Sequence, residues 1–94
     1  MRYLEDYEVG EVTETGPIAV TAEEIVEFAS KYDPQPFHLS EEAGKETMYG
    51  GLIASGWLTV SLYMGAFVRG SLGKAASLGA PGAEVRWSAP VRPG

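Results

Sequence analysis

Apolar and polar positions change rhythm several times along this chain, and the changes mark its elements. Residues 11–20, EVTETGPIAV, read as extended structure broken at Gly16-Pro17. Thr21-Ala22-Glu23-Glu24 then carries the capping-box pattern, in which a hydroxyl and a carboxylate three residues on satisfy each other's end N–H groups. Ile25, Phe28, Ala29 and Tyr32 follow at i, i+3, i+4 and i+7, so one face is apolar and the spacing predicts a helix over 22–32. Asp33-Pro34 ends it, because the residue before proline is pushed out of the helical region. Pro34 and Pro36 make the next six residues stiff and extended. Ser40 is placed to cap a short turn over Glu41–Lys45, whose acidic start suits a helix N-terminus.

From Ser55 to about Gly70 the pattern is different again. Trp57, Leu58, Val60, Leu62, Tyr63, Met64, Phe67 and Val68 leave no polar face, which predicts a helix buried on nearly all sides. Residues 71–82 are small and glycine-rich and read as a loop. Residues 83–88, AEVRWS, alternate as a strand does, and Pro90 and Pro93 end it. A helix without a polar side needs a sheet around it, yet few strand candidates are visible. Either a partner chain or strands beyond Gly94 would complete the core, and the expectation is the second: one domain over residues 1–94 that lacks its C-terminal strands.

Composition narrows the function classes. The 94 residues suffice for one small domain; 45% are apolar and 21% charged, as in an ordinary globular protein. There is no cysteine, which removes disulfides, thiolate ligands and a cysteine nucleophile. No basic start with an apolar run marks a signal peptide, and no apolar run reaches the ~18 residues of a membrane span, so a cytoplasmic protein with no membrane partner is the expectation. Net charge is −6, unevenly spread: residues 1–47 hold twelve acidic side chains against three basic, whereas residues 48–94 hold four basic against Glu84 alone. The acidic half argues against nucleic-acid binding. Arg86 and Arg92 fit either a small phosphorylated ligand or plain solvated surface.

Two segments carry possible chemistry. His38 is the only histidine and Asp33 one of two aspartates, joined by Pro-Gln-Pro-Phe. A carboxylate that orients an imidazole, or shares a water with it, makes an acid/base pair suited to neutral pH. Aspartate before proline is also a common turn device, and a lone histidine can be structural. Without cysteine or a second clustered carboxylate no metal is expected, and no cofactor. The second segment, Tyr49-Gly50-Gly51-Leu52-Ile53-Ala54-Ser55-Gly56-Trp57, opens the apolar helix with glycine. Free N–H groups at a helix start favour developing negative charge, the requirement of an oxyanion hole; a plain glycine hinge is the alternative.

In this order, Asp33-Pro34-Gln35-Pro36-Phe37-His38 and then Gly50-Gly51-Leu52-Ile53-Ala54-Ser55-Gly56, with the closing Ala89-Pro90-Val91-Arg92-Pro93-Gly94, the chain resembles the MaoC-like dehydratases, relatives of (R)-specific enoyl-CoA hydratases. The resemblance covers nearly all of the chain. It implies an α+β hotdog fold, an antiparallel sheet wrapped around one long apolar helix, and a homodimer or higher homo-oligomer with its sites near the subunit interface. It also implies an acyl-CoA or acyl-carrier thioester as substrate. Asp33 and His38 would activate a water that adds across a 2-enoyl thioester to give the 3-hydroxyacyl product, or the reverse, while the Gly56 N–H holds the thioester oxygen. Ser55, Trp57 and Gly51 would line the substrate. A thioesterase on the same scaffold and a non-catalytic acyl-binding or assembly remnant are the alternatives. The chain departs from the family pattern at Gln35, where asparagine is usual, and at Ser55, where histidine is frequent.

Overall fold

The computed structural model describes residues 4–6, 9–10, 12, 14, 17–70 and 83–94. Three α-helices carry the site: α1, Ala22–Tyr32; α2, Glu41–Lys45; and α3, Gly56–Arg69. A 3-10 turn over Pro36–His38 lies between α1 and α2, and another spans Leu4–Asp6. Each α-helix begins as its sequence dictates. The Thr21 hydroxyl accepts from the Glu24 N–H at 3.1 Å while the Glu24 carboxylate accepts from the Thr21 N–H at 3.2 Å, which completes the capping box. The Ser40 hydroxyl accepts from the Ala43 N–H at 2.9 Å to start α2. The two prolines produce a tight turn, not the extended run expected of them, and its amides bond back to Gln35 O and Pro36 O.

A small core joins these elements. Val20, Ile25, Leu52, Ala54 and Leu58 are buried together, with Val26, Phe28, Leu62 and Val91 packed against them. The backbone of residues 51–55 runs through its centre and is held from both sides. The Ile53 N–H donates to Phe37 O at 3.2 Å, and the Ala54 N–H donates to Val91 O at 2.8 Å. On the flank, the Glu41 carboxylate accepts from the Leu52 N–H at 3.0 Å. Gly44 lets α2 approach this segment, since a Cβ there would overlap the carbonyl of Gly51.

Two expectations about the sheet meet a different structure. Among the described residues none is in a strand, so the antiparallel sheet is not displayed; residues 83–88 run exposed and without a ladder partner. A strand is a paired object, and alternation alone does not create the pair. Correspondingly, α3 is not buried all round. Leu58 is its one buried residue, whereas Trp57, Tyr63, Met64 and Val68 are exposed. The expected loop at 71–82 lies outside the described residues, as does part of the extended run at 11–20.

Gly44→Ala should destabilise the fold by about 1–3 kcal/mol, the usual cost of forcing extra volume against fixed atoms. The obstacle is backbone, so it outweighs the ~1 kcal/mol by which alanine is the better helix former. Urea unfolding followed by circular dichroism measures the difference, and an unchanged or raised midpoint would contradict the close packing of α2 on Gly51.

Candidate active site

Asp33 and His38 meet because the turn between them folds back on the segment that leads into α3. Asp33 closes α1, its N–H donating to Ala29 O at 2.9 Å. His38 ends the 3-10 turn with its side chain only 6% exposed, and its Nδ1 lies 2.8 Å from the carbonyl oxygen of Ile53. A carbonyl only accepts, so Nδ1 carries the proton, and in the neutral ring Nε2 is left as an acceptor. That nitrogen faces Asp33 Oδ2 at 3.4 Å. The separation is long for a direct hydrogen bond, so both atoms keep an electron pair for a water or hydroxyl that contacts them from the cleft. Phe37, T-shaped to the imidazole at 4.5 Å, fixes the ring from its other side.

The Asp33 carboxylate is itself held by two donors. The Ser55 hydroxyl donates to Oδ2 at 2.7 Å and the Gln35 amide donates to Oδ1 at 2.8 Å. These two bonds, Ser55 first, pull the Asp33 carboxyl below the ordinary carboxylate range, aided by His38 and opposed by partial burial. Asp33 therefore stays ionised at neutral pH. Ser55 does a second job: its oxygen accepts from the Trp57 N–H at 3.3 Å as the N-cap of α3.

The pair opens on a cleft of about 480 Å³ whose lining includes Gln35, Phe37, Tyr49, Gly56, Trp57, Trp87 and Val91. The lining also includes the start of α3, where the Gly56 N–H has no acceptor among the described residues, as expected of the first helical residue. Gly56 is partly exposed, and its N–H sits at the positive end of the helix dipole.

The expected site residues thus divide. Asp33, His38, Gly56 and Trp57 line one cleft. Ser55 does not line it: it is fully buried and reaches the Asp33 carboxylate instead of a ligand. Gly51 is buried against the Glu41 carboxylate, away from the cleft, and its part is in packing. Gln35 and Trp87 were not picked out by sequence as site residues. Gln35 could have been found from its position two after Asp33, within reach of a carboxylate; for Trp87, 31 residues from Gly56, no local signal exists. Among the described residues no group of three or more His, Cys, Asp or Glu could hold a metal ion, and no helix is long and apolar enough to cross a membrane.

Ser55→Ala should raise the Asp33 titration midpoint toward the ordinary range near ~4, read by carboxyl-carbon NMR. Because the folded-state value is depressed, the ionised carboxylate stabilises the fold above that range, and the contribution is lost as pH falls through the depressed midpoint. The variant should accordingly lose about 1 kcal/mol at neutral pH and show a smaller loss of stability on acidification. An unmoved Asp33 midpoint would contradict the hydrogen-bond assignment.

Comparison with known proteins extends this geometry to a family. The sequence model described as "MaoC like domain" matches residues 6–94. The uncharacterized protein YdeM of Bacillus subtilis (strain 168) is 34% identical over 59 residues, 63% of this chain and 42% of that protein. The crystal structure of the MaoC-like dehydratase from Rhodospirillum rubrum is similar over all of this chain and 64% of its own, with 41% identity and a TM-score of 0.88. That likeness implies the hotdog fold class. The chain spans less than two thirds of the length of either relative. With the family pattern matched from Asp6 to Gly94, through both the Asp33–His38 turn and the start of α3, the chain belongs to the MaoC-like domain family.

Proposed function

We propose that this chain carries the acid/base centre of a hydratase/dehydratase that interconverts a 2-enoyl thioester and its 3-hydroxyacyl thioester. The observation that carries the proposal is the disposition of His38. Its Nδ1 is committed to Ile53 O, so Nε2 faces the Asp33 carboxylate at 3.4 Å with a free lone pair, at the edge of a cleft. A water in the cleft that donates to both would be polarised by both. As its oxygen bonds to C3 of the enoyl group, one proton passes to Nε2 and the other stays on the new hydroxyl. The electron pair of the double bond moves toward the thioester oxygen, where the Gly56 N–H and the α3 dipole stabilise the charge. The imidazolium then returns its proton to C2, and dehydration is the same path reversed. Asp33 is a poor proton donor because its carboxyl is held below the ordinary range. Its part is to accept from the water and stabilise the imidazolium.

The substrate in this proposal is an acyl-CoA or an acyl group on a carrier protein. The R. rubrum relative is a MaoC-like dehydratase, which supports the reaction class. The exposed apolar residues Tyr63, Met64 and Val68 of α3 support a central position for that helix, covered in the working protein by sheet and by a second copy of the chain.

Asp33→Asn and His38→Ala should each lower turnover of crotonyl-CoA hydration by ~10²-fold or more, with the fold intact by circular dichroism. Loss of enoyl absorbance without thiol release is the expected signature. Release of free CoA would indicate a thioesterase instead, and undiminished hydration by either folded variant would remove its residue from the chemistry.

A further inference from the structure

Gly56 has no positive φ, so its backbone conformation does not call for glycine. What calls for it is the indole of Trp87. A Cβ on residue 56 would stand 2.7 Å from Trp87 Cε2 and 2.7 Å from Nε1, closer than such atoms approach. The same indole donates from Nε1 to the Gly56 carbonyl oxygen at 2.9 Å and stands T-shaped to Trp57 at 5.5 Å. Trp87 thus occupies the Cα face of Gly56, bonds its carbonyl and is braced by the next residue. The segment carrying Trp87 is tied to the core by Val91, whose carbonyl accepts from the Ala54 N–H just before α3. The indole itself is about half exposed and lines the same cleft as Asp33 and His38.

We propose that Trp87 is a positioning residue for the reaction: seated on Gly56 and bonded to its carbonyl, it sets the direction of the Gly56 N–H at the start of α3. The role of that N–H rests on the hydratase reading given above; the contact between indole and glycine does not. The Cα face being taken, a thioester oxygen meets the N–H along the side left open toward Asp33 and His38. Trp87 acts through Gly56 and moves no proton. Since the indole is a side-chain end on an exposed segment, a methyl group at residue 56 displaces the ring and leaves the helix in place.

The full-length protein tests this with Gly56→Ala, Trp87→Phe, Trp87→Ala and the double variant Gly56→Ala/Trp87→Ala, assayed on crotonyl-CoA. Gly56→Ala retains the N–H yet should lower kcat by ~10²-fold, the scale of a misplaced reacting group. Trp87→Ala should do the same with KM changed much less, and Trp87→Phe, which keeps a ring and loses the donor, should fall between. The double variant should be no worse than either single one, because both remove one contact. Multiplying losses in the double variant, or full kcat in Trp87→Ala, would overturn the proposal. A separate arm needs no turnover: with Trp57 and any tryptophan outside residues 1–94 replaced by phenylalanine, Gly56→Ala should shift the Trp87 emission to longer wavelength as the ring loses its seat. An unshifted emission overturns the contact itself. A shift in a protein whose unsubstituted form does not hydrate crotonyl-CoA overturns the hydratase reading, and the positioning role with it, while leaving the contact standing.

Discussion

The bond from His38 Nδ1 to the carbonyl of Ile53 is the constraint on which the site depends. It spans fifteen residues of sequence and brings the turn after α1 against the segment that leads into α3. The parallel bond from the Ile53 N–H to Phe37 O makes the junction two-sided, so the polar groups of one residue grip both neighbours in the turn. In a nearly dry setting such bonds gain strength and leaving either group unpaired is costly. The same bond chooses the tautomer of the imidazole and so decides which nitrogen meets Asp33. Fold and chemistry are here a single contact.

Around it, every polar group near the pair has a defined duty. No buried side-chain nitrogen or oxygen among the described residues lacks a partner. Ser55 and Gln35 spend their donors on Asp33, which keeps the carboxylate charged beside an imidazole that is free to take and return a proton. The carboxylate can then orient while Nε2 of the imidazole, left as an acceptor by the Nδ1 bond, takes the proton. The start of α3 lines the same cleft and presents an N–H that has no acceptor among the described residues.

Local signals were legible in the sequence and distant ones were not. The capping box at Thr21, the Ser40 cap and the extent of all three helices follow from side chains within four residues of each other, and the structure has them at those positions. The Asp33–His38 pair was visible for the same reason, as five residues of proline-stiffened chain leave few geometries. Ser55 was expected at the substrate from the family resemblance; its bond to Asp33, 22 residues earlier, exists only in three dimensions. Gly51 was misplaced for a related reason. The resemblance placed it at the substrate, whereas this glycine makes room for the Glu41 carboxylate. The strand over 83–88 shows the limit of periodicity, since alternation records a preference for pairing and contains nothing about the partner.

Ser55 joins two helices at their ends: its hydroxyl oxygen begins α3 while its proton rests on the carboxylate that closes α1. One atom group thus serves folding and reactivity at once. A substitution there changes the start of a helix and the acidity of an aspartate in the same step. The route from this site to a new chemistry therefore runs through the residues that merely line the cleft, which can change one at a time.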